Sequence, residues 1–396
     1  MSDELFIDGF GPLPVRRPGT VAEVCELVRE ARTSQQAVYP VGGRTTLDLG
    51  RVPSKPGFAI DTRRLNAVIE HAARDMTITV QAGITMAELA KVLAAENQWL
   101  PIDVPNPETA SLGGAVAANI SGPRRLGHGT FRDYILGISF VTDDGVEVKG
   151  GGRVVKNVAG YDLMKLHTGA LGTLGVITQL TLKVKPKPEA MAVVSFGVGG
   201  AALGPTLDRL HASEARPMAV EVSNAGGEPW RVTCGFEEKA ATVEWQITTL
   251  QKEMAAGPVR GVSVNRDDEA FGVLNQVHAS RDTFATLKVN TAPSGVAAVV
   301  QAAAGFHLEA AVCAHAGNGI VTVHMPVELG VERMSSAVAE LTKLTSANGN
   351  LVVRSCPLAW KAVLPVWGKD RGDRELMRTV KRSLDPDDVF NPGRLA

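Results

Sequence analysis

Hydrophobic positions recur at two periods along this chain, and the changes of period mark its elements. Over residues 20–33, Val21, Val24, Leu27, Val28 and Ala31 fall at helical spacing behind Thr20, a residue type suited to capping a helix. Residues 37–41 (Ala-Val-Tyr-Pro-Val) predict a strand that runs into Gly42-Gly43-Arg44-Thr45-Thr46. Alternation over 76–81 predicts another strand, stopping at Ala82-Gly83, after which Thr85 heads a helix with Met86, Leu89, Val92 and Leu93. Residues 134–149 read as two strands joined at Asp143-Asp144-Gly145, and 176–184 as a further strand. The alternating Lys/Pro run over 183–188 is stiff and hard to pack, which places a domain boundary there. Beyond it the pattern predicts strands over 218–222, 230–234 and 286–290, a hairpin at Gly317-Asn318-Gly319, and helices over 240–254, 335–347 and 373–383. Residues 296–314 are the most apolar stretch, but Gln301, His307 and Glu309 interrupt them, so they read as a helix followed by a strand and not a membrane span. This mixed order predicts an α+β second domain.

Composition narrows the function classes. The 396 residues carry 41 Lys+Arg against 42 Asp+Glu, and this balance gives no general pull toward nucleic acid or anionic lipid. Aromatics at 5% argue against stacking platforms for single-stranded nucleic acid. Cys25, Cys234, Cys313 and Cys356 form no C-x-x-C pair, which disfavours a zinc ribbon or a cysteine-held iron–sulfur cluster in this chain and suits reduced thiols in the cytoplasm. Met1-Ser2-Asp3-Glu4 lacks an apolar core, and Arg16-Arg17 is followed by Pro18-Gly19, so no secretory or twin-arginine signal is expected.

Glycine is concentrated: 17 of the 41 lie between residues 101 and 200, which asks for close backbone approach or repeated positive φ. Within 105–129, Thr109 and Ser111 precede Gly113-Gly114 and a small-residue helix over 115–119. Hydroxyls and free amides at such a helix start can hold an anion, although a tight turn before a close-packed alanine helix accounts for the same residues. The Pro40 to Thr46 segment is a second loop of this type, and two such loops in one domain point to a ligand with two phosphates. Gly169, Gly172 and Gly175 have G-x-x-G-x-x-G spacing and precede a strand, which fits neither a Rossmann loop nor a P-loop. Glycine at 172 and 175 would let main chain lie against a flat ring system, or simply let strands pack closely.

In this order the segments resemble the FAD-binding domain of the vanillyl-alcohol oxidase / p-cresol methylhydroxylase (PCMH) superfamily. The likeness runs through the Pro40 to Thr46 loop, Val80-Gln81-Ala82-Gly83, Pro107-Glu108-Thr109-Ala110-Ser111-Leu112-Gly113-Gly114, Asn119, Gly122, Gly129-x-x-Arg132-Asp133 and Gly172-Thr173-Leu174-Gly175-Val176-Ile177. More narrowly, Lys156-Asn157-Val158-Ala159-Gly160-Tyr161-Asp162 and Asn391-Pro392-Gly393-Arg394-Leu395 resemble the FAD-binding subunits of bacterial glycolate oxidases (glycolate dehydrogenases). The resemblance implies an α+β fold: a two-subdomain PCMH-type FAD-binding domain over 1–186, then a smaller α+β FAD-linked oxidase C-terminal domain over 189–396 whose tail returns toward the first. It implies FAD held by Pro40, Gly42, Gly43, Arg44, Thr45, Thr46, Pro107, Thr109, Ser111, Gly113, Gly114, Asn119, Gly122, Gly172, Gly175, Val176 and Ile177, with the diphosphate on the Gly42 and Gly113 loops. Covalent members supply a histidine in the first loop. Arg44-Thr45-Thr46 stands there instead, and no cysteine lies near 105–114, so non-covalent FAD is expected.

Related 2-hydroxy-acid dehydrogenases carry His-x-Gly-Asp-Gly-Asn-x-His and Glu-His-Gly-Ile-Gly segments. This chain has His315-Ala316-Gly317-Asn318-Gly319-Ile320-Val321-Thr322-Val323-His324, so Asn318 replaces the Asp and Thr322 the second His; residues 346–360 contain no Glu-His, and Gly-Ser-Glu-Gly becomes Gly169-Ala170-Leu171-Gly172. His315 and His324 therefore read as hairpin histidines; no metal is expected, and the catalytic base is unassigned. The resemblance implies a complex with a catalytic flavoprotein subunit and an iron–sulfur subunit, oxidising glycolate to glyoxylate. Such a complex would be cytoplasmic, or peripheral at the inner membrane face through partners. A stand-alone flavin-dependent alcohol or aldehyde oxidoreductase and a non-catalytic assembly subunit are the alternatives. Among lesser candidates, Arg124, Arg125, His128 and Arg132 form a basic cluster for phosphate or an acidic partner, or a solvated loop. Arg132-Asp133 is a candidate pair, Tyr161-Asp162 a flavin contact or a helix cap, and Lys156 a flavin-side cation.

Overall fold

The computed structural model describes residues 4–152, 161–224, 229–267, 270–277, 283–307, 309–325, 328–370 and 372–395. By contacts the chain divides into two units, one of Met1–Ile120, Thr130–Lys187 and Asp370–Ala396, the other of Ser121–Gly129 and Pro188–Lys369. The Lys/Pro run thus ends the first unit's continuous part, Ser121–Gly129 groups with the second unit, and the last residues group with the first.

The first unit contains two sheets. In one, Glu4–Ile7 pairs antiparallel with Phe10–Arg16, and Gly57–Asp61 and Ala37–Val41 continue the sheet in parallel. Helix Val21–Thr33 buries Val24, Cys25, Val28 and Ala31, and the Thr20 hydroxyl accepts from the Glu23 amide. In the other, the order is Val68–Ala72, Thr77–Gln81, Val176–Lys183, Ile135–Val141, Glu147–Gly151, all antiparallel. Ile78, Val80, Leu180 and Leu182 from this sheet share a core with Leu89 and Leu93 of helix Met86–Ala94 and Val116 of helix Leu112–Ala118. Parallel pairing of Ala37–Val41 with Gly57–Asp61 sets Val41 opposite Asp61, so loops 42–46 and 62–64 emerge at the same carboxyl end of the sheet.

Among the described residues, the second unit is built on an eight-stranded antiparallel sheet. One face packs Val194, Phe196, Val232, Leu287, Val321, Val323 and Leu351 against helices such as Ala240–Ala255, Val296–Ala304 and Val331–Lys343. The other face is polar yet buried, carrying Thr233, Glu221, His315, Thr322, His324 and Thr286. The apolar 296–314 stretch forms helix Val296–Ala304 and strand Ala311–His315.

Two differences from the sequence pattern have physical causes. The helix expected over 335–347 is Val331–Lys343, because the buried stripe is Met334, Ala337, Val338 and Leu341, and Gly330 at φ +77 starts it. Strands Gly57–Asp61 and Val259–Asn265 carry no alternation to read: the first is buried almost throughout and the second largely exposed.

His167 is 2% exposed, lies with its ring centroid 3.9 Å from that of Phe140, and leaves Nε2 without a hydrogen-bond partner among the described residues. Burial pushes it down to about 4 from an ordinary 6.5, so it folds neutral. The unfolded chain then binds one more proton between these values, and stability falls as pH drops from about 6.5 toward 4. Replacing His167 by Phe should flatten this part of the acid limb; an unchanged pH dependence of the melting temperature across that window would contradict the assignment.

Candidate flavin site

Strand Ala37–Val41 delivers Gly42 and Gly43 directly onto the loop that begins helix Leu112–Ala118. A Cβ on Gly42 would lie 1.9 Å from Ser111 Oγ and 2.9 Å from its Cβ; one on Gly43 would lie 1.9 Å from the Thr109 carbonyl oxygen. Any side chain here forces the loops apart. Ser111 ties them instead, its Oγ accepting from the amides of Gly114 (3.3 Å) and Gly43 (3.4 Å).

The expected division of labour between the loops changes accordingly. The Gly113 amide donates to the Ala82 carbonyl at 2.7 Å and the Leu112 amide to Ile84 at 2.9 Å, so neither is available to a phosphate. A Cβ on Gly113 would meet Ala82 Cβ at 2.8 Å, so this glycine serves packing. In contrast, the amides and hydroxyls of Thr45 and Thr46 make no hydrogen bond with the described residues, and both threonines line the cleft. Open donors beside a strand carboxyl end suit an anion.

Arg44 sits beside them at φ +59, a left-handed conformation uncommon for a side-chain-bearing residue. Its Nη2 lies 3.2 Å from Oδ2 of Asp61, a side chain 1% exposed that also binds Arg63 (2.6 Å) and lies 3.7 Å from Arg17 Nε. Burial alone would raise the Asp61 carboxyl, but the Arg63 hydrogen bonds and the Arg63 and Arg44 charges outweigh it and hold it below the usual range. Asp61 thus gathers three guanidiniums, of Arg63, Arg44 and Arg17, at this corner of the cleft.

The third side is the 171–177 segment. Leu171 and Gly172 adopt φ +52 and +65, and Gly175 φ +151. Asn391 donates through Nδ2 to the Leu171 carbonyl at 2.6 Å, and its amide donates to Val38. Arg394, 5% exposed, donates to the carbonyls of Leu47, Leu49 and Arg51 and pairs with Asp8. The C-terminal Asn-Pro-Gly-Arg turn therefore braces both the first loop and the Gly172 turn.

The cleft is partly open to solvent and runs between the first loop, the start of helix Leu112–Ala118 and the Gly172 turn. Pro40, Gly42, Gly43, Arg44, Thr45, Thr46, Ser111, Gly113, Gly114, Gly172, Gly175, Val176 and Ile177 line it. Pro107, Thr109, Asn119 and Gly122 do not. The Pro107 carbonyl caps the Ala87 amide, and Thr109 turns its hydroxyl back to Asn106. Asn119 ends the helix at φ +49, its buried Oδ1 without a hydrogen-bond partner among the described residues. Gly122 groups with the second unit. Leu47, Leu49, Thr62, Ala115, Leu171, Asn391 and Arg394 also line the cleft but were not assigned to it from sequence. Of these, Ala115, in the small-residue helix, and the Asn391 to Arg394 motif carried a signal. A cradle closed to side chains at Gly42 and Gly43, with open donors at Thr45 and Thr46 and the Arg44 guanidinium beside it, fits a dinucleotide diphosphate.

The remaining candidates resolve into structural roles. Arg124 bonds Glu237 at 2.6 Å and stacks on Phe271 at 4.1 Å, and His128 lies 3.3 Å from the same carboxylate, forming an internal cluster and not a phosphate patch. Asp133 caps Thr130 (2.8 Å), whereas Arg132 reaches the Lys165 carbonyl. Asp162 caps helix Leu163–His167, and Tyr161 is 91% exposed. Lys156 lies outside the described residues. His315 Nδ1 lies 2.8 Å from buried Glu221, and His324 Nδ1 lies 3.3 Å from Thr286 Oγ1. Among the described residues no group of three or more His, Cys, Asp or Glu is placed to hold an ion.

The cleft can be perturbed selectively. Gly42→Ala should sharply lower flavin content, and adding Ser111→Gly should restore part of it, because that obstacle is a side chain and glycine at an N-cap costs only a few tenths of a kcal/mol relative to serine. Gly43→Ala meets backbone and should not be rescued by Ser111→Gly. Equal rescue of both, read from the flavin-to-protein absorbance ratio, would refute this loop geometry.

Residues 12–151 match the FAD binding domain family and residues 367–395 the family of FAD linked oxidases, C-terminal domain. Glycolate oxidase subunit GlcD of Bacillus subtilis (strain 168) is 25% identical over 97% of this chain and 89% of its own length. Glycolate oxidase subunit GlcE of Escherichia coli (strain K12) is 35% identical over 43% of this chain and 47% of its own length. Among solved structures, an alkyldihydroxyacetonephosphate synthase overlays with TM-score 0.69 at 20% identity, covering 96% of this chain and 77% of that one, a likeness of fold. On an α+β architecture, residues 12–151 thus carry an FAD binding domain and residues 367–395 a segment similar to the C-terminal domain of FAD linked oxidases.

Proposed function

We propose that this chain is the FAD-holding subunit of a 2-hydroxy-acid dehydrogenase complex acting on glycolate, with FAD bound non-covalently. The observation that carries the reading is the cleft at the carboxyl end of Ala37–Val41, where Gly42 and Gly43 admit no side chain and Thr45 and Thr46 keep their donors open. The diphosphate would accept hydrogen bonds from Thr45 and Thr46, with Arg44 adding charge. Ser111 would keep the loops at fixed separation, and Asn391 would hold the Gly172 turn against the remaining part of the cofactor. When bound, FAD supplies a two-electron acceptor for the hydrogen on the hydroxyl-bearing carbon of the acid.

The heteromeric part of the proposal rests on the second unit. His315 is engaged with Glu221 on a buried sheet face, and Thr322 occupies the hairpin position where related dehydrogenases have a second histidine. Both residues are 4% exposed, and threonine is no base at neutral pH, so the hairpin does not reproduce the two-histidine arrangement of those dehydrogenases. The names of the B. subtilis and E. coli relatives as glycolate oxidase subunits support a partnered role. A separate catalytic flavoprotein subunit and an iron–sulfur subunit that carries electrons onward complete this reading.

Purified alone, the chain should be yellow, release all its flavin on acid or heat denaturation, and remain unbleached by glycolate under anaerobic conditions. Bleaching should appear when it is co-purified with its partners. Flavin retained on the denatured chain would refute non-covalent binding, bleaching by the isolated chain would refute the partnered role, and a colourless chain would refute the cofactor assignment.

A further inference from the structure

Helix Asp373–Leu384 is amphipathic, yet none of its twelve residues is buried. Leu376 is 67% exposed, Met377 49% and Leu384 38%, and with Val380 they form one stripe at i, i+1, i+4 and i+8. A helix this short is marginal in water unless an apolar face is packed. Leu376, Met377 and Val380 of this stripe line a groove of about 780 Å³ whose opposite wall includes Leu166 and Leu174, all within the first unit. The helix is pinned at one end, where Lys381 donates to the carbonyls of Thr173 and Phe390. The groove is thus a fixed feature with two apolar walls.

Charge at the rim selects the occupant. Arg378 and Arg382 share Glu375 at 3.4 and 2.6 Å, Lys165 pairs with Asp162 at 2.8 Å, and Arg132 has no carboxylate within ion-pair distance among the described residues. Four cations therefore stand over two carboxylates on the open rim, while Asp385 and Asp388 are held by Lys381. Two-fold pairing with a second copy would oppose these arginines to themselves. A bilayer is flat, and could cover the helix crest but not Leu166 and Leu174 across the groove. A partner helix, roughly 10 Å across, can instead lay one apolar side against both walls.

We propose that this groove docks a helix from a different protein chain, apolar on its buried side and edged by carboxylates. The proposal does not depend on the substrate, and flavin content reads the cofactor assignment separately.

The test uses the full chain, tagged and purified from its own cells, beside a Leu376→Asp/Met377→Asp variant. Both positions are exposed, so circular dichroism and flavin content should not change. Zero-length carbodiimide coupling should join Lys165 to an Asp or Glu bordering an apolar helix of another polypeptide, identified by mass spectrometry. The double variant should lose that product at least tenfold, and Arg378→Gln/Arg382→Gln several-fold. Absence of any coupled product, or its persistence in the double variant, overturns the proposal. So does dimerisation of the purified chain by light scattering, or co-flotation with anionic phospholipid vesicles, if either is abolished by the double variant.

Discussion

The crossing of residues 42–43 over 109–111 is the constraint on which the first unit's chemistry rests. At 1.9 Å from a hypothetical Cβ, the Thr109 carbonyl allows only hydrogen at Gly43, and Ser111 imposes the same at Gly42. Overpacking a core by a methylene costs about 1–3 kcal/mol when neighbours can shift. Here the obstacle at Gly43 is main chain held by its own hydrogen bonds, with Ala110 and Thr109 amides both donating to Asn106. The crossing sets how closely loop 42–46 approaches the start of helix Leu112–Ala118. With that separation set, the Thr45 and Thr46 donors face open space and not a protein carbonyl.

The glycines were legible in the sequence, but the reason for them was not. A Gly-Gly after a strand suggests amides offered to phosphate, and at Gly113 the amide instead closes onto Ala82. Sequence spacing cannot say whether a small residue makes room for a ligand or for another loop, because both need the same absent Cβ. Elements set by local periodicity and capping appear where the pattern puts them: Thr20 caps Val21–Thr33, and Thr85 with Glu88 forms a capping box at Met86–Ala94. What the pattern could not carry was long-range. Asn391 and Arg394 lie more than two hundred residues from Leu171 and more than three hundred from Leu47, and only folding makes them neighbours.

The second unit illustrates the same point from the opposite side. A basic run at Arg124, Arg125 and His128 reads as surface charge, yet Glu237 and Phe271, both more than a hundred residues away, draw Arg124 into an internal ion cluster. Burying such charges is unfavourable unless they are paired, so the sheet's polar face depends on these specific partners. Lys288 on that face shows what incomplete neutralisation does: burial, with the charges of Arg354 and Arg125, pushes it down to about 8. His315 on the same face has the Glu221 carboxylate 2.8 Å from its Nδ1. The residue that resembles a relative's ligand is thereby turned into part of the scaffold.

The return of the C-terminal segment to the first unit follows from the exposed edge of its parallel sheet. Ala37–Val41 is the outermost strand, and an unpaired edge there would present open amides and carbonyls. Val389 and Asn391 satisfy Val38 from both sides, and Phe390 joins the core with Val24 and Ile60. Asp385, fully buried, accepts from the amides of Val389 and Phe390 and pairs with Lys381, which holds the turn between the helix and this edge. The helix is therefore positioned from its C-terminal end, while its apolar stripe contributes nothing to the unit's own core. Its internal ion pairs are worth only about 0.3–0.5 kcal/mol each, against roughly 1.5–3 kcal/mol for one fully buried leucine. The fold thus places an amphipathic surface accurately without covering it, which separates the residues that brace the segment after Thr46 from those left at the groove.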